Sequence, residues 1–211
     1  MDPKLLSKWT VKNPKDYSGI YHFGESEGEW SLLVFVTDTS FFAQALDHHW
    51  GPQHHTRQEV WLQDCKTYTN VKLNANGFAG DGFWGYFVNY QWEDGPQNGI
   101  ILLTANGKMD TAEFGGRVDV AFKGFFEGDY PELSYKVMED AYFQTKSKEQ
   151  LQIMRNEIFA RYGMIFAKNG KAYNHFVKKT WYRPWKKDVG DCLTPIEQKN
   201  LERIKAFESK Q

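Results

Sequence analysis

The hydrophobic period of this chain changes once, from two residues to 3.6, and that change restricts what it can fold into. Up to about residue 145, short aromatic and β-branched runs are broken by Gly, Asn and Asp. Beyond it, apolar residues recur every three or four positions. The runs fall at 17–23, 30–37, 41–45, 60–63, 68–73, 83–92, 99–104, 118–126 and 141–144. Turn-forming residues separate several of them, at 24–28, 74–77, 93–96 and 106–107. In 117–123, Val118, Val120 and Phe122 share one face, and Arg117, Asp119, Ala121 and Lys123 the other. Eight or nine such strands imply an antiparallel β-barrel or sandwich of about eight strands. The chain carries 16 Phe, 11 Tyr and 8 Trp. That much aromatic bulk favours a barrel interior filled by side chains over one open to a ligand.

The helical part has clear punctuation. Ser147 and Gln150 form a capping box, Leu151, Met154, Ile158 and Tyr162 follow on one face, and Gly163 stands at the helix C-terminus. A second helix is expected over 171–178 with Tyr173, Phe176 and Val177 inward, and Pro184 marks a turn within 181–185. A third begins at Thr194 with Pro195 in the first turn and Glu197 completing another capping box. Its apolar side is Ile196, Leu201, Ile204 and Phe207. The fold class expected is therefore α+β, with a three-helix C-terminal domain after the β domain.

Charge divides the chain at the same place. Residues 1–145 hold 11 Lys+Arg and 20 Asp+Glu, a net −9. Residues 146–211 hold 15 and 7, a net +8, and the two give the whole-chain value of −1. The expected domains are an acidic β domain, 1–145, and a basic helical domain, 146–211.

Two resemblances attach to these residues. Arg155-Asn156-Glu157-Ile158-Phe159-Ala160-Arg161-Tyr162-Gly163 resembles the signature of the YARHG domain, with Tyr162 where the name motif has His. Phe166, Phe176, Trp181-Tyr182, Leu193, Glu197, Asn200 and Ile204 continue the likeness, which spans roughly 149–208. It implies a bacterial, envelope-associated and extracellular module with a binding or structural role and no reaction. Gly19-Ile20-Tyr21 is similar, over three residues, to the strand entry of lipocalin-like barrels, with Tyr in place of Trp.

Glu157 and Arg161 stand at i, i+4, where a helix ion pair forms. In one reading these polar residues stitch the helix to the 181–185 turn. In the other they belong to a recognition face. There Arg155 and Arg161 would hold a carboxylate or phosphate, and Trp181, Tyr182 and Trp185 would stack on a sugar or peptide. Asn156, Glu157, Tyr162, Lys186 and Lys187 complete that face, with Lys178 and Lys179 beside it. Its expected partner is a cell-wall polymer or an envelope protein. Alternatives are a lipocalin-like carrier of a small apolar ligand, and a cytoplasmic interaction module whose acidic half antagonises a basic partner protein. A nucleic-acid partner is not expected beside a −9 half.

No phosphate loop, dinucleotide fingerprint, Gly-x-Ser-x-Gly or His-Glu-x-x-His occurs, so neither an enzyme nor a cofactor is expected. His48, His49, His54 and His55 flank Gly51-Pro52 and read as a loop between strands rather than a metal site. Cys65 and Cys192 read as two buried or free thiols in preference to a bridge across so long a loop. No apolar run approaches the ~18 residues of a transmembrane helix. The N-terminus lacks a secretory h-region. The location is thus extracytoplasmic if a signal was trimmed, and cytoplasmic if Met1 is native.

Overall fold

The computed structural model describes residues 2–24, 28–38, 40–80, 82–103 and 113–211. The expected turn at 106–107 and the end of the 99–104 run lie outside them, as does most of the turn at 24–28. The described chain packs as two compact units, Met1–Asp47 with Lys66–Ala121, and His48–Cys65 with Phe122–Gln211.

Nine strands are described: β1 (Leu6–Lys8), β2 (Gly19–Phe23), β3 (Trp30–Val36), β4 (Phe41–Pro52), β5 (Glu59–Asn74), β6 (Gly77–Gly80), β7 (Phe83–Trp92), β8 (Gly95–Leu102) and β9 (Glu113–Val118). They pair in the order β1-β7-β6-β5-β4-β3-β2-β9-β8, and β8 pairs back to β7, closing an eight-stranded antiparallel barrel. Closure leaves the barrel strands without an open edge. β1 adds to β7 through Leu6↔Tyr90 and Lys8↔Val88.

The register puts alternate side chains inside. Tyr21 lies opposite Leu32, and Val34 opposite Ala43. With Phe23, Val36, Phe41, Val71, Phe78, Phe87 and Ile100 they form one buried cluster. Phe87 is its hub. Its ring stacks on Tyr17 at 3.9 Å and meets Trp9, Tyr21, Phe41 and Phe78 within 6.3 Å. Aromatic and aliphatic side chains thus pack against one another in the described interior.

Several elements differ from the sequence reading. The runs at 60–63 and 68–73 are one strand, β5, because exposed polar residues such as Asp64 and Lys66 do not interrupt a ladder whose hydrogen bonds are main-chain. β4 continues past residue 45 to Pro52, so the histidine segment is strand and turn rather than a loop. The strand expected at 118–126 ends at Val118, opposite Ile20 near the start of β2; with no further partner, the chain turns into a short helix, α1 (Phe122–Phe125). The strand expected at 141–144 is helical, α2 (Asp140–Gln144), with Phe143 buried.

Both long helices begin as expected. α3 (Lys148–Arg161) and α5 (Pro195–Glu208) carry complete capping boxes at Ser147 and Thr194. Gly163, at φ +75°, ends α3 in a Schellman motif, with its N–H on the Ala160 carbonyl and that of Met164 on Phe159. α4 (Lys171–Phe176) is shorter than expected, and Val177 is 46% exposed rather than inward. α1 and α2 bring the described helices to five where three were expected.

Leu151, Met154 and Ile158 of α3 pack with Leu201 and Ile204 of α5, and with Leu133 and Phe143. Those last two residues explain why the C-terminal segment of the second unit begins at Phe122, ahead of the charge step at 145/146. The 122–145 segment supplies part of the helical core.

Replacing Phe87 with Ala is expected to cost about 3–5 kcal/mol, from lost burial plus an unfilled cavity. Denaturant unfolding followed by near-ultraviolet circular dichroism checks this.

Candidate functional site

The capping box at Ser147 fixes where α3 starts, and the 3.6 period then places Glu157 and Arg161 on one face. Both side chains are inside the unit, at 0% and 5% exposure. Arg161 Nη2 donates to Glu157 Oε1 at 2.5 Å. The carboxylate also accepts from the backbone N–H groups of Asp129 (2.8 Å) and Tyr130 (2.7 Å). Arg161 uses its remaining donors on Glu127 O, Tyr130 O and Ser134 Oγ, at 2.7, 2.8 and 2.7 Å. The 127–134 segment therefore wraps the ion pair. Gly128 is obligatory in that wrap. Its φ is +121°, and an added Cβ would lie 2.4 Å from Glu157 Oε1.

A second buried carboxylate continues the network. Glu197, the N3 residue of the α5 capping box, accepts from Thr194 N at 3.0 Å, from Ser134 Oγ at 2.5 Å and from Tyr162 Oη at 2.9 Å to each oxygen. Burial pushes the Glu197 carboxyl above the usual carboxylate range, while hydrogen bonds from Ser134, Thr194 and Tyr162 and the charge of Arg161 pull it down. Tyr162, at the motif's His position, supplies an O–H donor there. Asn200 Nδ2 donates to the Leu133 and Lys136 carbonyls, and its Oδ1 accepts from Met138 N.

These polar residues do stitch, but to the 127–138 segment and not to the 181–185 turn. The rest of the expected face is also dispersed. Arg155 Nη1 pairs with Glu208 at 3.1 Å, and Asn156 lies half-buried on α3. Trp181 packs on Phe176 and Tyr182, and the buried Tyr182 hydroxyl donates to Met164 O. Trp185 Nε1 donates to Gln63 O at 3.0 Å. Lys186 pairs with Asp64, and Lys179 with Asp129 at 2.8 Å. Lys178 and Lys187 are exposed. Sequence reasoning missed Gly128, Ser134 and the backbone of 127–138, which carry no periodic signal.

The arm made by 48–65 brings another set of residues together. His54 N donates to Pro184 O at 2.7 Å, and Gln53 Nε2 to Tyr182 O at 3.2 Å. Cys65 and Cys192 form a disulfide with Cα atoms 5.2 Å apart, correcting the expectation of two thiols. The two residues are distant in sequence, so only the folded arm reveals that they meet. His49 lies edge-on to Trp185 and His48 beside Trp61. His54 Nδ1 and His55 Nδ1 are 3.1 Å apart, and His55 rests on Tyr173. Burial lowers the His55 pKa, helped by the charges of His54 and Lys168. Among the described residues, no three His, Cys, Asp or Glu side chains converge to hold a metal.

Residues 127–209 match the family model of the YARHG domain. The match extends the likeness upstream to the first residue of the segment that encloses Glu157. No curated protein and no solved structure matches the chain, so the lipocalin likeness of 19–21 gains no support. The YARHG match points to an extracytoplasmic, envelope-associated protein. No described helix is long and apolar enough to cross a membrane.

Glu157→Gln is expected to destabilise the helical unit by about 3–5 kcal/mol, because it leaves Arg161 buried without its counter-charge; thermal unfolding measures this. A carboxyl held above its unfolded pKa is protonated more readily in the folded state. Its contribution is present at low pH and declines as pH rises through the raised value. The stability of the wild type relative to Glu197→Gln should therefore fall as pH rises above the usual carboxylate range, read from unfolding midpoints across pH.

Proposed function

We propose that this chain is a non-catalytic, envelope-associated binding or structural protein whose helical unit contacts an anionic envelope polymer. One observation carries the contact. Of the seven acidic residues in 146–211, Glu157 and Glu197 are fully buried. Lys168, Lys171, Lys178, Arg183 and Lys187 all remain exposed. Leaving out Glu157, Glu197 and Arg161, which is buried with Glu157, the rest of 146–211 carries 14 Lys+Arg and 5 Asp+Glu, a net +9. The non-catalytic reading is supported by the engagement of Glu157, Arg161, Tyr162 and Glu197 with one another and with the backbone. The disulfide supports an oxidising compartment.

Co-sedimentation with purified cell-wall sacculi tests the proposal. The wild type should pellet, less so as salt rises, and Lys178→Glu/Lys187→Glu should pellet less at low salt, the difference shrinking as salt rises. Equal retention of the two proteins, or no retention at low salt, would overturn it.

A further inference from the structure

The Cys65–Cys192 bridge lies beside a cation. Lys186 Nζ is 3.6 Å from Cys65 Sγ and 3.8 Å from Cys192 Sγ. The lysine side chain is only 16% exposed, so its charge is poorly screened by solvent. The bridge borders an open cleft of about 390 Å³ lined by Asp64, Cys65, Lys186, Lys187, Asp188 and Cys192. The two cysteine residues are unequally buried. Cys192 is 1% exposed, whereas Cys65 is only half-buried. Both cysteines line the cleft, and attack is assigned to the less buried one, Cys65, with Cys192 as the leaving group.

We infer that this bridge is a thiol-exchange site, reduced in the native protein by a dithiol and promoted by Lys186. In the first step the attacking thiolate forms a bond to Cys65 Sγ. The Cys65–Cys192 bond breaks, and its electron pair goes to Cys192 Sγ as a thiolate facing the Lys186 ammonium. The second thiol of the same reductant then displaces Cys65 from the mixed disulfide. The dithiol is oxidised to its own disulfide, and its two electrons and two protons pass to Cys65 and Cys192. A nearby cation stabilises the departing thiolate, and a better leaving thiol departs faster. Asp64 opposes this effect, because its carboxylate pairs with the same ammonium while remaining 52% exposed.

The exchange has a mechanical consequence. Once the bridge opens, the arm keeps its hydrogen bonds at His54–Pro184, Gln53–Tyr182 and Trp185–Gln63 but loses its covalent clasp. This inference stands apart from polymer binding and is tested without it.

The experiment measures the rate at which dithiothreitol reduces the bridge in native buffer at pH 7, by quenching with an alkylating reagent and counting labelled thiols by mass spectrometry. Lys186→Met should slow reduction, because the departing Cys192 thiolate loses the cation that stabilises it. Asp64→Asn should speed it, and Lys187→Met should leave it unchanged. The differences should vanish in denaturant, where Lys186 is no longer held against the sulfurs. A wild-type bridge that resists reduction until denatured would overturn the inference. So would equal rates for wild type and a folded Lys186→Met, or an effect of Lys187→Met as large. If Lys186→Met does not fold, Asp64→Asn decides: a rate equal to or below wild type defeats the inference.

Discussion

The helical unit depends on burying a carboxylate and a guanidinium together. Each ion loses several kcal/mol of hydration on burial, so the pair is tolerated only if its remaining donors and acceptors find partners. Glu157 takes two backbone N–H groups in addition to Arg161, and Arg161 takes two carbonyls and a hydroxyl. The 127–134 segment supplies them by turning at Gly128, and Ser134 passes the network on to Glu197 at the start of α5. One ion pair thus sets the path of a loop and links both long helices to it.

The barrel is held by different physics. Its described ion pairs, Lys15–Asp38 and His22–Glu29, are solvent-exposed and contribute little. Its interior is stacked aromatic and aliphatic side chains, whose attraction is large in sum and only weakly directional. Such a core tolerates volume-conserving changes, whereas the carboxylate network of the helical unit tolerates almost none.

Local chemistry made parts of this legible in advance. Capping boxes at Ser147 and Thr194 and the glycine stop at Gly163 are written in adjacent residues, so both long helices begin where expected and α3 ends where expected. Short runs were less informative. Three or four residues cannot distinguish a strand from a helical turn, which is why the helical 141–144 reads as a strand in the sequence. The union of two runs into β5 was hidden because ladder bonds do not depend on side-chain polarity. The candidate site was half legible: Glu157 and Arg161 were evident as a pair, their enclosure was not.

The sequence by itself determined the change of period, the caps, the α+β class and the YARHG-like motif, because each is encoded within a few neighbouring residues. The tertiary structure alone decided that Glu157 and Arg161 of the motif point inward, that Cys65 meets Cys192, and that Lys186 stands beside both sulfurs. Those outcomes join residues up to 127 positions apart. Contacts at that separation depend on how packed elements return the chain to itself, which no local pattern records.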